Sequence, residues 1–240
     1  MMKKFFLSAL CIAFSTVFLQ AQTTEDLLKT FSKKHKKDTS SLSTTDVISG
    51  LKEALNKGVN TGTAKLSAAN GFFANAAVKI LMPPDAQKVE KTLRGVGLGK
   101  QVDDAILSMN RAAEDATKSA APIFLNAIKQ MSIEDAWAIL RGSDTAATAY
   151  LRKTTTASLS NAFKPVIDKS LEKVDATKYW NTVFIAYNKV SFNKINPDLS
   201  SYVTDKALHG IFYEIGQQEV QIRKDPVART TDILKKVFGK

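Results

Sequence analysis

The chain is poor in the residues that most often carry out catalysis or bind metals. Its single cysteine, Cys11, lies within the first apolar segment, and its two histidines are His35 and His209. The sequence contains neither an HExxH nor a GxSxG motif, and no His, Asp and Glu residues cluster at metal-ligand spacing. These absences exclude a disulfide-bonded framework and give no basis for assigning a catalytic residue, a metal site or a cofactor.

Long segments that alternate apolar and polar residues, which would predict a β-sheet, are also missing. From Thr45 onward, apolar residues recur instead at steps of three and four, the period of an α-helix. Residues 101–130 resemble one central helix, kinked at Pro122 because proline removes an interior hydrogen bond. We therefore predict an all-α protein in which residues 44–240 form a single domain of about eight to ten helices.

Polar residues and prolines predict where several of these helices begin. Ser132 caps one helix, and Ser143-Asp144 is expected to cap the next. Asp225-Pro226 opens the last helix, because proline is favoured at the first helical position. Helical patterns in the C-terminal part of the chain cover about 156–173, 176–192, 199–224 and 226–238.

The first 21 residues have the three parts of a secretory signal peptide. Lys3 and Lys4 precede the apolar run Phe5–Leu19, and the small residue Ala21 stands at the cleavage position. The alternative is a membrane anchor, but a spanning helix needs about 20 apolar residues. We expect residues 1–21 to be cleaved off after Ala21, leaving a periplasmic mature chain without a transmembrane segment.

Residues 22–43 are predicted to form a flexible basic tether. They contain the run Lys33-Lys34-His35-Lys36-Lys37 and too few apolar residues to offset the entropy of ordering. Loss of Lys3 and Lys4 lowers the formal charge from +11 to +9. In an exported protein this charge serves solubility alone, or it favours anionic envelope components as partners over nucleic acid. Such components include lipid head groups, lipopolysaccharide and wall polymers.

Charged residues interrupt the apolar faces of two predicted helices. In the helix over 199–224, Glu219 lies among apolar residues, with Arg223 one turn later and Arg229 beyond the Asp225-Pro226 break. In the helix over 101–130, apolar residues bracket Arg111 and Glu114, and Arg152 follows in a later helix.

These six residues allow three interpretations. They form a buried ion-pair network that fixes helix register, a polar pocket for an anionic or other polar ligand, or a general acid–base site using Glu114 or Glu219. Glu219 is expected to be enclosed and paired with at least one arginine, because a carboxylate inside an apolar face is costly without a partner.

Several blocks of this sequence, in the same order, resemble an exported bacterial family catalogued as domain of unknown function 4197. The resemblance runs from about Asp46 to Gly239 and implies an envelope protein of Gram-negative bacteria, without implying an activity. The ending Gln20-Ala21-Gln22 is similar to signal-peptide ends common in Bacteroidetes. The blocks are Gly50-Leu51-Lys52-Glu53-Ala54-Leu55, Met109-Asn110-Arg111-Ala112-Ala113-Glu114, Ala146-Ala147-Thr148-Ala149-Tyr150-Leu151-Arg152, Glu219 to Arg223 with Asp225-Pro226, and Arg229 to Phe238.

The sequence therefore favours an exported, all-helical binding or accessory module of the cell envelope that has no catalytic activity. One alternative is a metal-independent hydrolase or lyase that uses Glu114 or Glu219. The other alternative is a carrier of lipid or another apolar ligand, which requires an apolar cavity between helices.

Overall fold

The computed structural model describes residues 42–173 and 198–239, together with Trp180, Ile185 and Asn188. These residues form eight α-helices and no strand, so the predicted all-α class is confirmed. Residues 1–41, which contain the predicted signal peptide and nearly all of the tether, lie outside the described residues. The predicted helix 176–192 also lies outside them, apart from the three residues just named. The helices are α1 (Thr44–Ser67), α2 (Gln87–Gly95), α3 (Gly99–Thr117), α4 (Ala120–Gln130), α5 (Ile133–Arg141), α6 (Ala146–Glu172), α7 (Leu199–Lys224) and α8 (Asp232–Phe238).

Serine side chains cap the N-terminal ends of α1 and α5. The Ser132 hydroxyl accepts from the backbone N–H of Asp135 at 3.1 Å, and the Asp135 carboxylate accepts from the N–H of Ser132 at 3.1 Å. Ser43 and Asp46 form the same reciprocal pair at α1. Each pair satisfies two N–H groups that the helix itself leaves without partners. The predicted cap at Ser132 is therefore confirmed.

The segment predicted as one kinked helix over 101–130 is two helices, so that prediction was wrong. α3 ends at Thr117 and α4 begins at Ala120, before Pro122 rather than at it. Pro122 lies in the first turn of α4, where a backbone N–H has no partner within the helix and its absence costs little. The Ser119 hydroxyl donates to the carbonyl of Ala116 at 2.7 Å, a local bond that competes with continuation of the helix.

Helix α7 packs on α1, α3, α6 and α8. Gly58 and Gly62 of α1 lie at this contact. A Cβ atom at Gly58 would lie 3.4 Å from Gln218 Cβ, and one at Gly62 would lie 3.4 Å from Ile215 Cγ1. The two glycines on the apolar stripe of α1 therefore face α7 at ordinary contact distance. A ring contact joins the buried side chains of Phe124 and Phe212, with centroids 5.8 Å apart in an edge-to-face arrangement.

The last predicted helix, over 226–238, is also divided. Pro226–Ala228 forms a single 3-10 turn, and α8 begins only at Asp232, with the Thr231 hydroxyl as its cap. Helix α8 lies against α1, where a Cβ on Gly50 would come within 2.6 Å of Val237 Cγ2. Across the described part of the chain, every helix falls short of the combined length and apolar character that crossing a membrane requires.

Candidate functional site

The carboxylate of Glu219 closes the N-terminal end of α6. Its Oε1 accepts a hydrogen bond from the backbone N–H of Ala147 at 2.9 Å, and its Oε2 accepts from the N–H of Thr148 at 2.8 Å. The Thr148 hydroxyl also donates to Oε2, at 2.8 Å. The first N–H groups of a helix lack partners and carry positive partial charge, so a carboxylate is favoured there. Glu219 is thus a cap for α6 that comes from α7.

Arg223 joins the same carboxylate to the C-terminal end of α5. Its Nη2 lies 2.9 Å from Oε1 of Glu219 and donates to the carbonyl of Ile139 at 2.9 Å. The side chains of Glu219 and Arg223 are only 9% and 11% exposed, respectively. A guanidinium is favoured at the negative end of a helix dipole. Of the four candidate arginines, Arg223 is the one that pairs with Glu219.

This arrangement replaces the cap that the sequence predicted for α6. Ser143-Asp144 was expected to cap this helix, but the N-cap residue is Thr145, whose side chain makes no capping bond. Asp144 pairs with Lys224 at 2.6 Å instead. The cap prediction was wrong because the acceptor comes from a residue 71 positions later than Thr148, which no local pattern reveals.

Arg229 closes the C-terminal end of α7. Its Nε donates to the carbonyl of Ile222 at 3.0 Å, and its Nη2 donates to the carbonyl of Arg223 at 2.7 Å. These are backbone carbonyls of the last helical turn, which have no partner within the helix. Glu219, Arg223 and Arg229 therefore lie together, and each side chain bonds to the end of a helix.

Glu114 and Arg111 form a separate group that holds the loop after α1. Oε1 of Glu114 accepts from the backbone N–H groups of Phe72 and Phe73 at 3.1 and 3.3 Å, and Oε2 pairs with Arg111 at 2.6 Å. Arg111 also donates to Oδ1 of Asn70 at 2.8 Å. The Glu114 side chain is 4% exposed, and its carboxylate bonds to backbone N–H groups and to arginine. This carboxylate fixes the loop that carries the buried Phe72 ring.

Asn110, next to this pair on α3, has a structural role that the sequence did not reveal. Its amide accepts from the backbone N–H of Ile80 at 2.8 Å and donates to the carbonyl of the same residue at 2.8 Å. Asn110 is completely buried. The available signal was a polar residue one turn after Ile106, on the apolar face of the predicted helix, because a buried amide needs hydrogen-bond partners.

Arg152 lies apart from both groups. Its guanidinium carbon is 4.6 Å from the centre of the Phe212 ring, within the range of a cation–π contact. The six residues selected from the sequence therefore occupy three places: the α5–α6–α7 junction, the loop after α1, and the surface over Phe212.

A small apolar pocket borders Glu219 between α1, α7 and α8. Its lining includes Leu51, Leu55, Ile215 and Phe238, and its volume is about 20 Å³. That volume holds about one water molecule.

A larger, open groove runs beside α7, and the sequence analysis did not identify it. Its volume is about 440 Å³. At its floor the side chain of Glu214 is 3% exposed, and its Oε1 pairs with Nζ of Lys65 at 2.7 Å. Glu214 follows Ile211 and precedes Ile215 on the buried face of α7, the same kind of signal that drew attention to Glu219. The lining residues include Lys65, Asn75, Tyr213, Glu214, Gln217 and Gln221.

Across residues 42–173 and 198–239, no group of three or more His, Cys, Asp or Glu side chains is placed to hold a metal ion. His209 is an exposed residue of α7.

Comparison with known proteins identifies a family but no individual relative. No match was found among curated proteins or among solved structures. The model of one family, described as "Protein of unknown function (DUF4197)", matches residues 41–239. This match covers every helix described above, both acid–arginine groups and the groove. The resemblance seen in the sequence blocks is therefore confirmed, and the chain belongs to the family described as Protein of unknown function (DUF4197).

Proposed function

We propose that the mature chain is an exported, periplasmic binding module of the cell envelope without catalytic activity, and that the groove beside α7 is its binding site. The observation that carries this proposal is the groove itself, an open space of about 440 Å³ with the almost fully buried carboxylate of Glu214 at its floor, paired with the half-exposed Lys65. Ligand sites commonly measure about 300–1,000 Å³ and contain a few fixed polar groups. Glu214 and Lys65 are such groups.

The contacts of Glu114 and Glu219 weigh against the hydrolase or lyase alternative. Both carboxylates accept hydrogen bonds from backbone N–H groups and pair with an arginine. A general acid or base must reach the proton that it transfers, at about 2.6–3.2 Å or through one water. Both oxygens of each acid are already engaged with the protein, and each side chain is at least nine-tenths buried.

The size of the apolar pocket weighs against a lipid carrier. An acyl chain needs a pocket in the range of several hundred Å³. The pocket next to Glu219 measures about 20 Å³. The groove is larger, but polar side chains make up much of its lining.

The excess of basic residues supports anionic envelope components as the surroundings in which this module works. Within the described part of the chain, Lys88, Lys91 and Lys153 are exposed and have no acidic partner within 4.0 Å. Clustered or scattered positive charge raises the local concentration of anionic polymers around a protein. An anionic polymer of the envelope thereby approaches the groove without a specific contact to each lysine.

Native mass spectrometry of protein recovered from the periplasm of a Gram-negative host tests both parts of this proposal. The mature chain is expected to begin at Gln22 and to carry a bound ligand, which remains chemically unchanged on incubation. The double variant Gln217→Ala/Gln221→Ala should lose the ligand, whereas Gln101→Ala, at an exposed glutamine of α3, should retain it. A cytoplasmic chain with an intact Phe5–Leu19 segment would contradict export. Retention of the ligand by the double variant would contradict the groove as its site.

A further inference from the structure

We propose that the groove binds a neutral, hydroxyl-rich ligand, namely one or two sugar units of an envelope glycan. This inference rests on the proposed function, because it assigns the ligand class of the same groove. It comes from three features: an incompletely bonded carboxylate at the floor, uncommitted amides along the wall, and an exposed aromatic ring at the edge.

The floor of the groove offers one acceptor and little net charge. Oε1 of Glu214 is engaged by Lys65 at 2.7 Å, whereas Oε2 accepts no hydrogen bond from another described residue. The Glu214 side chain is only 3% exposed, yet its Oε2 is not among the buried, unbonded atoms of the described residues, so this oxygen stays accessible from the groove. A ligand hydroxyl in the groove would donate to Oε2 in place of solvent. Because Lys65 balances the charge of Glu214, the floor does not favour a phosphate, a carboxylate or an ammonium group.

The wall of the groove is built from side-chain amides. Gln217, Gln218 and Gln221 line it, and none of them makes a side-chain hydrogen bond with the residues that the structure describes. Asn75 uses its Oδ1 to accept from the N–H of Ala77 at 3.2 Å, which leaves its NH₂ group as a donor. Each glutamine amide offers both donors and an acceptor. A sugar hydroxyl likewise donates and accepts, so these amides match a row of hydroxyls better than a charged group.

Tyr213 adds an apolar surface at the edge of the groove. It is 39% exposed, and Ala77 and Val220 also line the groove. A pyranose ring has one face formed largely by C–H groups, and a tyrosine ring presents an apolar face with a polar tip. A sugar stacked on Tyr213 would keep its hydroxyls toward the amides of α7. The combination of ring and amides therefore selects a sugar over a linear polyol.

Titration of the ¹⁵N-labelled mature chain by NMR tests this inference. The probes are N,N′-diacetylchitobiose and cellobiose, with inorganic phosphate and the tetrapeptide Ala-Ala-Ala-Ala as comparators. At least one of the two disaccharides should shift the backbone signals of residues 213–221 and the side-chain NH₂ signals of Gln217 and Gln221. Phosphate and the peptide should leave the same signals unchanged at equal concentration.

Substitutions assign the binding to the groove. Tyr213→Ala and Gln217→Ala change exposed side chains and are expected to fold, and each should weaken disaccharide binding by at least about tenfold, or about 1.4 kcal/mol. Glu214→Gln should do the same, although its buried position makes its thermal midpoint a necessary companion measurement. Gln101→Ala, an exposed glutamine on α3, should bind as the unchanged protein does.

The outcomes separate this inference from the proposed function. If the disaccharides fail to bind while a ligand recovered from the periplasm shifts the same groove signals, the sugar assignment is wrong and the groove remains the binding site. If phosphate or the peptide shifts those signals and the sugars do not, the sugar assignment is equally wrong. If the recovered protein carries no ligand and no probe shifts the groove, both proposals fail.

Discussion

The carboxylate of Glu219 connects three helix ends through contacts that no single helix supplies. It caps α6 through Ala147 and Thr148, and it orients Arg223 toward the carbonyl of Ile139 at the end of α5. An acid that only balanced one arginine would not need the two N–H donors of α6. The residue therefore fixes how α7 meets the turn between α5 and α6.

Replacing Glu219 by alanine should lower the free energy of unfolding by about 3–5 kcal/mol, because it strands Arg223 and leaves two helical N–H groups without acceptors. Urea denaturation followed by circular dichroism measures this change. Asp205→Ala is the matched control, since Asp205 is an exposed acid on the same helix, and its effect should remain within about 0.5 kcal/mol. A loss below about 1 kcal/mol for Glu219→Ala would contradict the structural role.

Asn110 bonds the backbone of the loop after α1, as Glu219 bonds the backbone at the start of α6. Its alanine variant should lose about 2–4 kcal/mol of stability, because the N–H and carbonyl of the buried Ile80 both lose their side-chain partner. The exposed Asn126 of α4 provides the control, and Asn126→Ala should change stability by less than about 0.5 kcal/mol. Equal midpoints in urea for the two variants would mean that water replaces Asn110 without cost.

At the scale of helices, two glycines on buried helix faces, Gly58 and Gly210, differ in how much space a Cβ atom would have. A Cβ at Gly210 of α7 would come within 2.6 Å of Cε1 of Phe72, whose backbone N–H is held by Glu114. A Cβ at Gly58 of α1 would meet Gln218 Cβ at 3.4 Å, which is an ordinary contact distance. Packing therefore requires glycine at position 210, whereas position 58 has room for alanine.

Alanine at these two positions should have opposite effects on the thermal midpoint. Gly58→Ala should be neutral or stabilising by up to about 1 kcal/mol, because alanine loses less backbone entropy in a helix. Gly210→Ala should destabilise by about 1–3 kcal/mol, because the buried Phe72 ring must move in a filled core. Differential scanning calorimetry of both variants measures the difference. Destabilisation by Gly58→Ala of the same size would show that α1 and α7 lie closer than described.

The docking of α8 on α1 should depend on pH. Hydrogen bonds from Lys236 and then Ser43 lower the pKa of Asp46 from 3.8 to about 2. Because the folded-state pKa lies below the unfolded one, this contribution to stability is present above about pH 4 and is lost as pH falls toward about 2. Asp46→Asn should lower the thermal midpoint at pH 7, and its difference from the unchanged protein should vanish near pH 2. Asp205→Asn, at an exposed acid, should show no such convergence; convergence in both variants would contradict the assignment.

Local patterns predicted the all-helical class and the cap at Ser132, because apolar periodicity and capping chemistry act within a few residues. Ser132 is an example: its cap partner Asp135 lies three positions away. Local patterns did not predict every helix boundary, since the pattern over 156–173 belongs to a helix that begins at Ala146. The cap of α6 could not be predicted, because Glu219 lies 71 positions from Thr148. Glu219 and Glu114 could still be selected, since an acid on an apolar face needs a partner wherever that partner lies. Glu214 met the same criterion. Its partner Lys65 lies 149 positions away, however, and the groove that both residues line exists only in the folded chain.

At the scale of the whole molecule, charge and groove act over different distances in the proposed function. The positive charge of the mature chain attracts anionic polymers from beyond contact, over a distance of about 10 Å at 0.1 M salt. The ion pair of Glu214 and Lys65 is locally neutral, and it contributes only at contact. Under this proposal, attraction by the basic residues would bring an anionic polymer near the protein, and the amides of α7 would select a neutral unit of that polymer.

The N-terminal limit of the folded domain should lie at Leu42. The tether was predicted over 22–43, but its last two residues belong to the folded domain: Leu42 packs against the core, and the Ser43 hydroxyl accepts from the N–H of Asp46 at 3.0 Å. For the remaining residues, 22–41, the composition still predicts a tether that does not need to fold. A mature chain shortened to begin at Leu42 should therefore keep its thermal midpoint within about 1 °C. One shortened to begin at Thr44 loses the cap, which is worth about 1 kcal/mol, and should melt at least about 2–4 °C lower.

Calorimetry on the two shortened chains distinguishes the tether from the folded domain. If the chain that begins at Leu42 also melts several degrees lower, part of 22–41 contributes to the stability of the folded domain and is not a tether. If both shortened chains melt with the unchanged protein, the Ser43 cap contributes nothing, and the first turn of α1 is held by its buried residues Val47 and Leu51 alone.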